Sequence, residues 1–161
     1  MKKIIAVLLT LFAISQFISA QTKKTVLYIY DEPSKEAQAF ISYFKDAFAK
    51  NSIVFDESSA ADMATKDLGS YDDIVIHSMV MAFNMKSPLR DWLKTSPKLQ
   101  GKKVRLLVTA NRWFLDKLFS QQQNLLNENG ADIVDAVSAA TKDMDSVQKA
   151  AKVEDFVAAL K

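Results

Sequence analysis

The chain has 161 residues, is 49% hydrophobic and 25% charged, and contains three glycines, three prolines, one histidine and no cysteine. This balance suits one globular domain and excludes a disordered chain or two domains of ordinary size. Without cysteine there is no disulfide framework, thiol catalysis, zinc finger or lipid-anchored cysteine, and Gly69, Gly101 and Gly130 lie too far apart for a glycine-rich phosphate loop.

Lys2 and Lys3 precede the apolar run Ile4 to Ile14, and Ser19-Ala20 then offers small residues before Gln21. This is the layout of a secretory signal peptide, residues 1–20, leaving a single domain over 21–161. A membrane span needs roughly 20 apolar residues, and this run is shorter. Cleavage at Ala20 removes two of the 21 basic side chains and none of the 19 acidic ones, so the mature charges balance. A neutral chain has no electrostatic footprint for nucleic acid or an anionic membrane. The expected location is therefore periplasmic or extracellular. With no twin-arginine pair the chain crosses unfolded, and any cofactor is acquired outside the cytoplasm.

Thr25 to Tyr30 is a continuous apolar run of the kind buried on both faces of a sheet. Pro33 and Ser34 punctuate it, and Ala37, Phe40, Ile41, Phe44 and Phe48 then mark one helical face. Ser52 to Phe55 reads as a second, edge strand, followed by a weak helix over Ser59 to Lys66. Ile74-Val75-Ile76 is the heart of a third strand, with His77 at its end. Ser87-Pro88 is a strong helix start, a hydroxyl cap followed by proline at the first helical position, and Leu89, Trp92 and Leu93 form its buried stripe.

Val104 to Val108 is the fourth strand. Leu115, Leu118, Phe119, Leu125 and Leu126 line a helix ending at Asn129-Gly130, a left-handed cap. Ala131 to Val137 reads as the fifth strand. A last helix, capped near Asp143 or Asp145 and kinked near Lys152, carries Val147, Ala150, Val153, Phe156, Val157 and Leu160.

Five strands alternating with helices specify an α/β domain with a parallel sheet covered on both faces, and right-handed crossovers favour the order 2-1-3-4-5. Ligands in such sheets sit beyond the carboxyl ends of the strands, where the strand order reverses. Those ends are Asp31–Ser34, His77–Lys86 and Thr109–Trp113, with Asp135–Thr141 nearby.

Tyr71-Asp72-Asp73-Ile74-Val75-Ile76, the segment Met85 to Leu93, and Leu99 to Val104 running on through Val108-Thr109 together resemble the flavodoxin-like family across nearly the whole mature chain. The resemblance implies a three-layer sandwich that binds FMN and transfers electrons. In that family the FMN phosphate sits in a Ser/Thr-rich, glycine-containing loop after the first strand. Here the stretch is Tyr30-Asp31-Glu32-Pro33-Ser34-Lys35. Its two carboxylates repel a phosphate dianion, Pro33 lacks an amide donor, and only Ser34 and Lys35 help. Phe83 and Trp113 are placed either to stack on a planar flavin or to anchor loops over the sheet. Asn84, Asn111 and Arg112 could hydrogen-bond the ring or pair with an anion.

Asp135 to Thr141, through Ser138, Ala139 and Ala140, is similar to the Asp…Ser-Gly-Ala-Thr motif at which exported flavoproteins carry FMN on threonine, with Thr141 as the attachment hydroxyl. Ala139 replaces the glycine of that motif, and the alternative is a strand end with a Ser/Thr turn. His77 reads as a hydrogen-bonded residue at the sheet's rim, or as a proton donor to a reduced flavin or quinone. Met79, Met81 and Met85 suit an adaptable apolar pocket, Lys98 to Lys103 is a basic turn too small for nucleic acid, and no metal site is expected. Two functions follow. One is an exported FMN-associated redox domain whose partner is a small planar ligand or a redox protein. The other is a binding module that kept the scaffold and lost the cofactor.

Overall fold

In β1, Thr25–Tyr30, alternate side chains point to opposite sides, and the residues between its two ends are buried on both. That demand for two dry faces organises everything around it. The computed structural model describes residues 25–31, 34–80, 87–95 and 97–160. Residues 1–24, Glu32, Pro33, the stretch from Met81 to Lys86, which includes Phe83, Asn84 and Met85, Ser96 and Lys161 lie outside the described residues.

The remaining elements are α1 (Lys35–Lys50), β2 (Val54–Ser59), two 3-10 segments (Ala60–Thr65 and Leu68–Ser70), β3 (Asp73–Val80), α2 (Pro88–Lys94), β4 (Lys103–Ala110), α3 (Arg112–Glu128), β5 (Asp132–Ala140) and α4 (Ser146–Ala158). The five strands are parallel and ordered β2-β1-β3-β4-β5, as expected. On one face Leu27, Ile29, Ile74, Ile76, Leu106 and Val108 pack with Leu89 and Leu93 of α2 and Leu115, Leu118 and Leu126 of α3. On the other, Val26, Tyr28, Val75 and Leu107 meet Phe40, Ile41, Phe44 and Phe48 of α1 and Val153, Phe156 and Val157 of α4. Among the described residues no helix is long and apolar enough to cross a membrane.

Five local expectations shift. The second strand starts later, because Asn51 caps α1 and Ser52 turns with a positive φ of 56° before the chain straightens. It then runs on through Asp56 to Ser59, since backbone pairing with β1 at an edge tolerates polar side chains. The third strand runs to Val80, because Ser78, Met79 and Val80 pair with Val108, Thr109 and Ala110. His77 is therefore inside the strand and fully buried, not at the rim.

The fifth strand likewise reaches Ala140, pairing with Ala110, after a register shift that leaves Val134 between Ile133 and Asp135 unpaired with β4. Asp145 caps α4 through a reciprocal capping box with Gln148. Val147, expected on the buried stripe, is 75% exposed, since the first turn of α4 lies outside the packed stripe that Val153, Phe156 and Val157 form.

Phe44 is the hub of the second face, with its ring centroid 4.4 Å from Tyr28, 5.7 Å from Phe48 and 6.1 Å from Phe156. Phe44→Ala is expected to lower the unfolding free energy by about 3–5 kcal/mol through lost burial and a residual cavity, read from urea unfolding curves.

Candidate functional site

Parallel strands deliver their carboxyl ends to one edge, and the order reverses between β1 and β3, which opens the crevice there. The first residue past β1 is Asp31, a buried carboxylate. Ser87 Oγ donates to it at 2.8 Å and the Leu89 amide at 3.1 Å, while Ser87 Oγ in turn accepts from the Arg90 amide at 3.1 Å. An anion thus lies where the first-turn amides of α2 need acceptors, and ties the end of β1 to the chain returning from β3.

Asp31 is therefore not displayed at the mouth of the crevice as a repelling charge. Sequence reading missed this because the partners are 56 and 58 residues away. The available signal was an acid directly after a fully buried strand, facing a Ser-Pro helix start.

Ser34 caps α1, its Oγ accepting from the Ala37 amide at 3.1 Å. The amides of Lys35 and Glu36 precede the intrahelical ladder, with Glu36 in the first turn. At the end of β4, Asn111 begins α3 without using its side chain as a cap, and Arg112 is exposed. Trp113 is 71% exposed, its ring edge-on to Phe114 at 4.7 Å. It stands on the first turn of a helix and does not pack down as a loop anchor over the sheet.

Thr141 follows β5 beside Ala110, only 8% exposed, with its amide donating to the Ala110 carbonyl and its own carbonyl accepting from Met144. Asp135 to Ala140 are strand residues, so the stretch before Thr141 is extended and paired rather than a turn. The structure thus groups Asn111, Arg112, Trp113 and Thr141 at the ends of β4 and β5, and Asp31, Ser34 and Ser87 at the ends of β1 and β3.

Beneath this edge a buried chain of hydrogen bonds crosses the three central strands. Tyr28 Oη lies 2.9 Å from His77 Nδ1, and His77 Nε2 lies 2.9 Å from Thr109 Oγ1. A neutral imidazole donates through one nitrogen and accepts through the other, and hydroxyls on both sides serve either tautomer. Phe40 and Phe44 pack on the ring at 4.8 and 6.0 Å between centroids. Burial pushes the His77 pKa down to about 3 and raises that of the Tyr28 phenol, which the charges of Tyr30 and Glu57 raise further. Both ring nitrogens are committed and the ring is neutral near pH 7, so His77 is structural and the proton-donor role falls away. Met79 is part-buried against this same face.

No protein-family model and no curated protein matches the sequence. Solved structures do. Oxidised flavodoxin 2 from Bacillus cereus superposes with a TM-score of 0.63 at 19% identity, over 85% of this chain and 99% of that one. General stress protein 14 from Treponema denticola, in complex with FMN, gives 0.60 at 15% identity over 85% and 97%. The flavodoxin of Streptococcus pneumoniae TIGR4 gives 0.60 at 10% identity over 85% and 99%. The chain therefore has the flavodoxin-like fold, a five-stranded parallel sheet between two helical layers.

Two measurements test this geometry. Asp31→Ala leaves Ser87 and the Leu89 amide without their acceptor, so a loss of about 2–3 kcal/mol in urea is expected, with faster amide exchange at Leu89. For His77, the unfolded chain takes up a proton near pH 6.5 and the folded chain only near pH 3. Its contribution is therefore intact above pH 6.5 and is lost as the pH falls toward 3, by up to about 1.4 kcal/mol per pH unit. His77→Gln should flatten the pH dependence of the urea midpoint between pH 7 and 4; an unchanged slope would rule His77 out as its source.

Proposed function

We propose that the protein is an exported domain that binds FMN noncovalently at the carboxyl edge of its sheet and exchanges electrons with a redox partner. The observation that carries this reading is the exposed indole of Trp113 beside the uncapped Asn111, at the edge where the fold places ligands. An indole that is 71% exposed next to an amide suits a planar, hydrogen-bonding ring. The inward turn of Asp31 supports the same reading, because it withdraws one of the two carboxylates expected to repel a phosphate.

The residues fit FMN as follows. Ser34 and the leading amides of α1 would hold the phosphate at a helix N-terminus, with Lys35 as the nearby cation. Trp113 would stack on the ring, Asn111 would hydrogen-bond its polar edge, and Arg112 would pair with an anionic group. Phe83 and Asn84, the other two residues expected to contact the ring, lie outside the described residues. Bound FMN supplies reversible electron transfer, and the chain's part is to orient the ring and limit its contact with water. Attachment through Thr141 is the less favoured mode, since its buried position and paired backbone would have to open for modification.

A second reading rests on Asp31 as well. Its carboxylate closes β1 onto α2 with the chain's own anion, as expected of a scaffold that keeps its crevice edge rigid without a cofactor.

Protein from the native host should show bands near about 375 and 450 nm that denaturation releases, and FMN should raise Tm. Trp113→Ala should weaken FMN binding about tenfold, the size of one lost stacking contact of about 1.4 kcal/mol. A colourless protein whose Tm ignores FMN would leave the second reading in place.

A further inference from the structure

The buried chain Tyr28–His77–Thr109 takes no part in the electron exchange proposed at the carboxyl edge. Tyr28 and His77 are fully buried and Thr109 is 1% exposed. Replacing hydrogen-bonded groups by apolar side chains of similar shape is close to neutral for stability, so packing alone does not call for these three residues. Their geometry suits a further task. Tyr28 Oη and His77 Nδ1 are 2.9 Å apart, and both side chains are uncharged near pH 7.

A phenol is a far stronger acid than an aliphatic hydroxyl. In the favoured tautomer Tyr28 Oη therefore donates to Nδ1, and the Nε2–H donates to Thr109 Oγ1. The phenolic proton is then already shared with a base. Phe40 and Phe44 close over the imidazole, and the Phe44 ring also packs 4.4 Å from that of Tyr28, so water has no route to the pair. One oxidisable neighbour leads outward. The Tyr30 ring lies 5.8 Å from that of Tyr28, and Tyr30 is half-buried as the last residue of β1, at the carboxyl edge.

We propose that Tyr28 and His77 form a proton-coupled redox site, which gives one electron through Tyr30 to an outer-sphere one-electron oxidant such as an oxidising radical. In the step the oxidant gains the electron by way of the Tyr30 ring, which ends unchanged. The Tyr28 O–H bond breaks and its proton bonds to His77 Nδ1, leaving a neutral tyrosyl radical beside an imidazolium. A phenol that has lost an electron is a strong acid, so it protonates even an imidazole whose pKa burial has lowered to about 3. At rest the triad is structural, and a neutral His77 has no proton to give a flavin; it has a lone pair that receives this one. Return of one electron sends the proton back and restores the pair. The step uses no FMN, and the inference stands whether or not FMN binds.

The test oxidises the purified full chain with flash-generated tris(bipyridine)ruthenium(III) and follows it by electron paramagnetic resonance. A tyrosyl radical is expected that outlives any radical on the exposed Trp113. Electron–nuclear double resonance should show one strongly coupled exchangeable proton, the one on His77 Nδ1. Tyr28→Phe, which keeps a ring in the core, should reduce the long-lived signal at least tenfold, while Tyr43→Phe and Tyr71→Phe leave it unchanged. Tyr30→Phe should slow its appearance at least tenfold. His77→Gln should shorten its lifetime at least tenfold and remove the exchangeable coupling, in a variant checked for native circular dichroism.

A long-lived radical that survives Tyr28→Phe, or a wild-type protein that forms none, would overturn the proposal. So would a wild-type tyrosyl radical lacking the exchangeable coupling, a result that depends on no variant folding. An unaltered rise in Tyr30→Phe would overturn the path through Tyr30.

Discussion

Every neighbouring pair of strands in this protein is parallel, so each connection must cross a face of the sheet before the chain can pair again. The central strands consequently have no wet side. Leu27 and Ile29 are sealed by one helical layer while Tyr28, one residue along the same strand, is sealed by the other. A polar group inside that sheet must find its partner there, because water cannot supply one. His77 does so with two hydroxyls from flanking strands, Tyr28 and Thr109, and burial then keeps it uncharged.

The same constraint shapes the carboxyl edge. Asp31 emerges from a buried strand where little water can reach it, and the unsatisfied amides at the start of α2 receive it. The contact lies at the point where strand order reverses and ties the end of β1 to the start of α2. The start of α3 is built differently. Asn111 does not cap its own helix, and Trp113 stands in solvent.

Coverage of the sheet is also uneven. Three crossovers fill their share with α-helices, and the fourth uses 3-10 turns that pack less breadth against the strands. An open groove of about 850 Å³ between Ala60–Thr65 and α2 is the geometric result.

Local order determined what could be read in advance. The apolar run Thr25–Tyr30, the stripe from Ala37 to Phe48, the Ser87-Pro88 start and the Asn129-Gly130 stop each depend on neighbours within one or two turns, and the strand order followed from their alternation. The strand ends did not follow, because Ser78 to Val80 and Ser138 to Ala140 are held by pairing with β4 and not by their own composition. Asp31 looked like an exposed repelling charge and is a buried acceptor, and His77 moved from rim to core. Only the tertiary structure could decide these, since burial and hydrogen-bond partners are set by segments that meet across dozens of residues once the sheet has chosen its register.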